Sequence, residues 1–206
     1  MSWLVTVVCA VVVIWILKKY WSDLRKRYFA ALMNYLSQDE DAKMLEMKKE
    51  VFATLGSEVS HDPQLRKENA IKILEIGVGT AENMDMVPDS SIDVVVTTHV
   101  FCSVHNTKKM LQQILRVLAP GGKFYFYEHI KEFDTERHST RQKIQDFLTT
   151  TGIWQFLFDG CELTRDMLED IQEAGFTKVQ ALRFYCPMEH FIFQLVKPSL
   201  KGVAQK

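Results

Sequence analysis

The sequence of 206 residues lacks several features that would assign it to a functional class at once. Its formal net charge is only −1, so no broad basic surface is available to bind nucleic acid. The four cysteines, Cys9, Cys102, Cys161 and Cys186, are widely separated and show no Cys-x-x-Cys spacing. This separation argues against a zinc site and against a dense disulfide framework. We therefore expect reduced thiols, no metal and no nucleic-acid partner.

No internal repeat or low-complexity tract is present, and the chain is organised around residues 71–80, Ile-Lys-Ile-Leu-Glu-Ile-Gly-Val-Gly-Thr. An apolar run rich in β-branched residues predicts a buried parallel strand. Gly77 and Gly79 then permit a tight turn in which the backbone approaches a ligand closely. Glu75 precedes them at the carboxyl end of the strand, where open α/β sheets bind ligands. A carboxylate there suits the ammonium and ribose of S-adenosylmethionine and would repel a pyrophosphate.

Two glycines after a strand also occur in ordinary turns, so this stretch alone leaves both interpretations open. The following segment adds a β-branched strand at 92–98, an amphipathic helix that begins after Asn106, and Pro120-Gly121-Gly122. An aromatic strand at 123–127 then leads to His129. This spacing predicts a right-handed βαβ unit with parallel strands.

The amino terminus contains an apolar run at residues 3–17, interrupted only by Thr6 and followed directly by Lys18 and Lys19. The run is shorter than the ~20 residues of a simple membrane span. Its flanking aromatic residues are typical of a membrane interface, and the basic residues after it place the rest of the chain on the cytoplasmic side. We predict a membrane anchor, either spanning or lying in one leaflet; a buried core helix is the alternative.

The predicted organisation has four parts. The hydrophobic anchor covers residues 1–20, an amphipathic helical linker covers 21–68, and the main domain covers 69–198. A hairpin of strands at 179–184 and 191–196 closes that domain, and residues 199–206 form a tail.

Taken together, these features resemble the methyltransferase-like 7 family, the membrane-bound thiol methyltransferases. The matching stretches are the anchor with its basic residues and segments 74–80, 93–96, 102–104, 120–122, 128–129, 158–161 and 163–165. The resemblance implies an α/β class I methyltransferase fold with a Rossmann-like sheet, and S-adenosylmethionine as cofactor. It also implies a small hydrophobic thiol as acceptor. The domain would face the cytosol on the endoplasmic reticulum membrane or on lipid droplets.

The chain departs from this family directly after the glycines. In the family, a helix, a strand ending in an acidic residue, a further helix and a third strand follow the glycine motif. Here Thr80 is followed at once by Ala81-Glu82-Asn83-Met84, a segment that the family places after that block. We therefore predict a shortened sheet that lacks strands 2 and 3 of the family order 3-2-1-4-5-7-6. Strand 71–76 would then be an exposed edge.

The candidate site residues follow from the motif and the resemblance. The cofactor-binding candidates are Glu75, Gly77, Gly79, Glu82 and Asn83, the last two on the adenine side or, alternatively, in a solvated loop. His129 is the candidate catalytic base, because a thiol acceptor reacts as its thiolate; a packed or capping histidine is the alternative. Cys102 and Cys161 are interpreted as small buried hydrophobic residues.

Two other functions are compatible with parts of the sequence. The first is a non-catalytic, membrane-anchored protein of the same fold, which would not need the acidic residue that ends the second strand in the family. A nicotinamide-dependent oxidoreductase would need an acidic residue that closes a second strand, whereas Asp93 begins one. The methyltransferase interpretation accounts for more of the chain than either alternative.

Overall fold

The computed structural model describes residues 2–37, 42–77, 82–187 and 191–206. Its contacts divide the chain into two compact units, residues 1–40 and 41–206. The described residues of the first unit form the helix α1 (Ser2–Ser37), which continues without a break past residue 20, where the predicted anchor ends. Among the described residues, no helix combines the length and the apolar character needed to cross a membrane.

The second unit is an α/β domain. Its helices are α2 (Ala42–Val51), α3 (Pro63–Lys67), α4 (Thr107–Val117), α5 (Ser139–Thr150), α6 (Ile153–Leu157) and α7 (Leu168–Glu173). Its strands are β1 (Ile73–Ile76), β2 (Ile92–Thr98), β3 (Leu118–His129), β4 (Lys178–Tyr185) and β5 (Pro198–Gln205). Short 3₁₀ helices cover Leu55–Ser57, Glu82–Met86, Phe101–Ser103 and Phe191–Leu195.

The five strands form one sheet in the order β1-β2-β3-β5-β4. β1, β2 and β3 are parallel, and β5 lies antiparallel between β3 and β4. The predicted α/β, Rossmann-like fold is therefore confirmed. Among the described strands, β1 pairs only with β2 and so lies at the edge of the sheet.

Alternation along the central strands places apolar side chains on both faces of the sheet. Val95, Phe124 and Phe126 belong to the large core cluster that includes buried side chains of α4 and α7. Val94, Val96 and Tyr125 point to the opposite face, where partly buried residues cover them: Phe52, Leu55, Ile71 and Val203.

Residues 42–68 are part of this domain and not a linker, so the predicted boundary at residue 69 is wrong. Met47 and Val51 of α2 pack against the cluster around Tyr127, which is completely buried. Thr54 Oγ1 lies 2.8 Å from the hydroxyl of Tyr125, and Lys123 Nζ donates to Glu58 Oε1 at 2.6 Å. The sheet therefore needs this segment to cover one of its faces.

The predicted closing hairpin is correct in its first strand and wrong in its second. β4 matches the prediction, but residues 191–195 form a 3₁₀ helix and residues 198–205 supply the partner strand. The predicted tail at 199–206 is therefore wrong as well. Gly202 explains part of the difference, because a Cβ there would lie 2.3 Å from the Gln180 carbonyl oxygen and 2.6 Å from the Phe126 ring.

Candidate functional site

Glu75 and Gly77 lie at the carboxyl end of β1, as the motif predicts. Glu75 is in register with Val96, and Ile76 is in register with Thr97 of β2. Both Glu75 and Gly77 are exposed. A Cβ added to Gly77 would meet no heavy atom of the described residues within 4 Å, so these residues leave the space beside this backbone open. This edge of the sheet can therefore receive a ligand next to a carboxylate.

The other cofactor candidates are less fully defined. Gly79 lies outside the described residues. Glu82 and Asn83 begin the 3₁₀ helix Glu82–Met86, and their side chains are outside the description as well. Arg116 of α4 fixes this segment, because its guanidinium donates to the carbonyl oxygens of Met84 at 2.6 Å and Val87 at 2.8 Å.

The described residues fit one end of S-adenosylmethionine. The exposed Glu75 carboxylate can accept hydrogen bonds from the ammonium of the methionine moiety, and the open space at Gly77 admits the ligand close to the backbone. The described strands offer no carboxylate for the ribose hydroxyls, because that carboxylate would end a strand on the other side of β1, and among the described strands β1 is flanked by β2 alone. The methionine end of the cofactor is therefore the part that this edge can hold.

Glu128 is a buried carboxyl group at the end of β3 that organises the neighbouring turn. Its Oε2 accepts hydrogen bonds from the backbone N–H groups of Val100 at 2.7 Å and Phe101 at 3.1 Å. Burial raises the pKa of this carboxyl to about 8, and the two backbone donors only partly oppose the shift. Glu128 thereby positions the 3₁₀ helix Phe101–Ser103, which follows the carboxyl end of β2.

The structure brings His129 together with two cysteines that are far apart in the sequence. His129 Nε2 lies 3.1 Å from Cys161 Sγ, and Trp154 Nε1 donates to the same sulfur at 3.3 Å. The ligand-type atoms of Cys102, His129 and Cys161 all lie within 4.8 Å of one another. The three side chains are only 3, 4 and 8% exposed. We call these three residues the Cys-His-Cys cluster.

The cysteines of this cluster are buried, as expected, but they are more than small hydrophobic residues. Hydrogen bonding from Cys161 lowers the pKa of the Cys102 thiol well below its usual range despite its burial. The same interaction, reinforced by burial, raises the pKa of the Cys161 thiol. His99 stacks beside His129 with ring centroids 6.0 Å apart, and burial lowers the pKa of His99 to about 4. His99 is therefore neutral at neutral pH.

Backbone and side-chain hydrogen bonds hold together the three segments that carry this cluster. The N–H of Glu162 donates to the carbonyl oxygen of Cys102 at 2.9 Å. The Arg165 guanidinium donates to the carbonyl oxygens of Phe101, at 2.6 Å, and Val104. The N–H of Lys131, two residues after His129, donates to the carbonyl oxygen of Arg165 at 2.8 Å. These contacts join the three segments without using the side chains of the cluster itself.

Sequence reasoning identified His129 but missed its partners, because Cys102 and Cys161 have no motif spacing and meet only through the fold. The only sequence signal for this site is the pair Glu128-His129, because two polar residues there end an otherwise apolar, aromatic strand. The role of His129 as a base for a thiol acceptor stays a prediction. The geometry directs its Nε2 to Cys161.

The chain is similar in sequence to known methyltransferases. Residues 22–126 match the family model for a methyltransferase domain. Thiol S-methyltransferase TMT1A from Homo sapiens is 39% identical over 129 residues, which represent 63% of this chain and 50% of that protein. Thiol S-methyltransferase TMT1B from Rattus norvegicus is 29% identical over 231 residues, covering 90% of this chain and 89% of that protein. The match to the human protein thus spans about half of that relative's length.

A solved structure from Thermotoga maritima, described as a SAM-dependent methyltransferase and possible histamine N-methyltransferase, was also found. It has a TM-score of 0.44 and 14% sequence identity, and the match covers 69% of this chain and 68% of that chain.

Proposed function

The chain belongs to the methyltransferase-domain family, and from this membership we propose that it transfers a methyl group from S-adenosylmethionine to a small hydrophobic thiol. The observation that carries the proposal is the exposed pair Glu75 and Gly77 at the carboxyl end of β1, inside the segment that the family model matches. The thiol acceptor is supported by the two relatives that are named thiol S-methyltransferases.

The chemistry demands little of the protein beyond positioning. S-adenosylmethionine, when bound, supplies an electrophilic methyl group on a sulfonium. Glu75 would hold the ammonium of the cofactor through charge-assisted hydrogen bonds, and Gly77 would let the backbone approach without a Cβ in the way. Correct alignment of the acceptor sulfur with the methyl group then supplies most of the rate enhancement.

A thiol acceptor must also lose its proton, because the thiolate is the nucleophile. His129 is the candidate base from the sequence, at the carboxyl end of β3. Its Nδ1 is buried and has no hydrogen-bond partner among the described residues, whereas its Nε2 faces Cys161. A base role would therefore use Nδ1.

The domain is proposed to be a shortened form of the family fold that lacks strands 2 and 3. The sheet order supports this, since β1-β2-β3-β5-β4 corresponds to family strands 1-4-5-7-6. The alignment with the rat relative also runs over 231 residues, more than the 206 of this chain, so that relative contains residues without a counterpart here. We expect weakened ribose binding as the main consequence.

The amino-terminal helix is proposed to attach the protein to the endoplasmic reticulum membrane or to lipid droplets, with the domain in the cytosol. Large exposed side chains on α1 support this: Trp3 is 77%, Trp15 60% and Tyr20 57% exposed. Aromatic residues of this kind favour the interfacial region of a bilayer.

A methylation assay on the full chain tests the proposed reaction. The protein is incubated in mild detergent with S-adenosylmethionine and a small hydrophobic thiol, and the S-methylated product is measured by mass spectrometry. Glu75→Gln should raise the KM for S-adenosylmethionine roughly 10- to 100-fold, because a charge-assisted hydrogen bond contributes about 1.5–3 kcal/mol. Glu136→Gln, at another exposed carboxylate, is the matched control.

Product formation that depends on the enzyme, with a raised KM for S-adenosylmethionine in Glu75→Gln and an unchanged KM in Glu136→Gln, supports the proposal. A folded protein that forms no product with any of several small thiols, yet binds S-adenosylmethionine, would contradict the thiol acceptor. A folded protein that does neither would leave the non-catalytic protein of the same fold as the better description.

A further inference from the structure

The Cys-His-Cys cluster has a composition that the proposed methyl transfer does not require. Methyl transfer from a sulfonium to an external thiol needs no protein cysteine, yet two cysteines and one histidine converge at the carboxyl ends of β2 and β3. All three are more than nine-tenths buried. A buried set of two sulfurs and one imidazole nitrogen is a typical donor set for soft or borderline metal ions.

We propose that Cys102, His129 and Cys161 bind a transition-metal ion of the zinc class. Each residue offers one ligand atom, and all of these atoms lie within 4.8 Å of one another. Around a tetrahedral zinc ion, with bonds of about 2.0–2.3 Å, ligand atoms are roughly 3.5–4 Å apart. The observed separations require only small side-chain adjustments to reach that geometry.

The surrounding hydrogen bonds supply the rigidity that a metal site needs. The Glu162–Cys102 backbone bond, the Arg165 guanidinium and the Lys131–Arg165 bond join the three ligand-bearing segments without using a ligand atom. The site is therefore preformed. Metal binding would displace the thiol protons to solvent and replace the contact between His129 Nε2 and Cys161 by two bonds to the ion.

The proposed site changes the expected role of His129. Coordination through Nε2 leaves the proton on Nδ1, so a metal-bound His129 cannot act as the base. Three protein ligands also leave the fourth position of a tetrahedral ion free for a small ligand. The thiol acceptor has the right chemistry for that position, but this last step rests on the proposed function, whereas metal binding does not.

Cobalt substitution tests the proposal on the full chain. The purified protein is stripped with a chelator under reducing conditions, titrated with Co²⁺ and followed by absorption spectroscopy, and its zinc content before stripping is measured by mass spectrometry. We expect one Co²⁺ per chain, with a thiolate-to-cobalt charge-transfer band and intense visible bands typical of tetrahedral coordination. Added Zn²⁺ should abolish these bands.

Two variants connect the signal to the cluster. Cys161→Ala should remove the charge-transfer band or weaken Co²⁺ binding at least 100-fold, with retention of the fold checked by far-UV circular dichroism. Cys186→Ala removes another fully buried thiol, one that lies against Tyr127 and outside the cluster, and it should leave the spectrum unchanged.

The spectrum of the unmodified chain decides the matter even if Cys161→Ala does not fold. Visible Co²⁺ bands without a thiolate-to-cobalt charge-transfer band would overturn the proposal, because they indicate that the ion binds surface groups without cysteine. A chain with no metal and no cobalt signal, or one in which Cys102 and Cys161 form a disulfide under reducing conditions, would also overturn it. Methylation activity is not a readout here, so failure of the proposed function leaves this test unaffected.

Discussion

Asp93 joins the segment before β1 to the sheet through a single buried carboxylate that is 5% exposed. It accepts hydrogen bonds from Ser60 Oγ at 2.7 Å, from the N–H of His61 at 2.9 Å and from the N–H of Lys72 at 2.8 Å. Burial raises the pKa of this carboxyl, but these donors and the His61 imidazole, whose Nδ1 lies 2.5 Å from Asp93 Oδ1, outweigh that effect and lower the pKa to about 2. The ionised form is therefore the one that stabilises the fold.

Replacement of Asp93 by asparagine should reduce the free energy of unfolding by about 2 kcal/mol at pH 7, since a pKa difference of one unit corresponds to about 1.4 kcal/mol. The pKa of Asp93 is lower in the folded state than in the unfolded state. Its stabilising contribution is thus complete above about pH 4 and is lost as the pH falls toward 2. Urea unfolding at a series of pH values measures both effects.

The control is Asp89→Asn, which alters a 75% exposed carboxylate paired with Arg116 and should change stability by less than about 1 kcal/mol. A difference between Asp93→Asn and the unmodified protein that stays constant from pH 7 to pH 3 would contradict the assigned role of Asp93.

At this same scale, the sequence predicted some site residues and could not predict others. Glu75 and Gly77 were predictable because a strand followed by glycines fixes their position locally. Cys102 and Cys161 were not, because their proximity depends on how the loops after β2 and α6 pack, and no local pattern encodes that packing. The identification of His129 was possible only because it ends an apolar strand.

At the scale of elements, β5 depends on a glycine at its centre. Gly202 lies where a Cβ would come within 2.3 Å of the Gln180 carbonyl oxygen and 2.9 Å of the Ala181 Cα. Gly202→Ala should therefore lower the free energy of unfolding by about 1–3 kcal/mol or more, because the backbones of β4 and β5 must separate. Gly56→Ala is the matched control, since its Cβ would meet no atom of the described residues within 4 Å. Equal unfolding midpoints in urea for the two variants would contradict this packing.

The edge strand β1 carries a second prediction. Ile73 is 49% exposed on a strand with one neighbour among the described strands, and such edges favour pairing between molecules. Ile73→Lys should reduce self-association of the full chain in mild detergent, measured by light scattering after size-exclusion chromatography. Ile144→Lys, a 42% exposed residue of α5, should leave association unchanged. Equal association of Ile73→Lys and the unmodified protein would indicate that the edge is not used for pairing.

The sequence predicted a helix or strand correctly where a single periodic pattern defined it. It failed where two segments could each form the same strand of the sheet. The α4 helix, with Asn106 as its cap, followed directly from its apolar stripe and capping residue. The second strand of the closing hairpin could not be predicted in this way. Residues 191–196 are more apolar than 198–205, yet Phe193, Leu195 and Val196 fill side-chain clusters instead of a strand. Which segment enters the sheet is decided by the space between β3 and β4.

At the scale of the whole molecule, the helix α1 carries the proposed attachment to membranes. Val8 and Val12 are 57 and 48% exposed on this helix. The double substitution Val8→Glu/Val12→Glu should abolish flotation of the full chain with phospholipid vesicles, because charged side chains are costly in the apolar region. Tyr35→Ser, near the other end of α1, is the control. Flotation that persists in the double variant would contradict attachment through this run.

The class of the fold was predictable from the order of strands and helices, since a βαβ pattern with glycines after its first strand has few solutions. The domain boundary was not. Residues 42–68 are polar enough to be interpreted as a connection, and only their packing against Tyr125 and Tyr127 reveals that they complete the domain. Covering one sheet face is a requirement of the assembled sheet and leaves no strong local signal.

The proposed methyl transfer depends on binding of S-adenosylmethionine at the open edge beside Gly77. Isothermal titration of S-adenosylhomocysteine into the full chain in mild detergent tests this binding, with Gly77→Ala and Gly56→Ala titrated alongside. Both added methyl groups enter space that the described residues leave empty, so neither should alter stability. We predict one binding site per chain, at least tenfold weaker binding for Gly77→Ala and unchanged binding for Gly56→Ala. A folded chain that gives no binding heat, or a Gly77→Ala variant that binds as tightly as the unmodified protein, would contradict the claim.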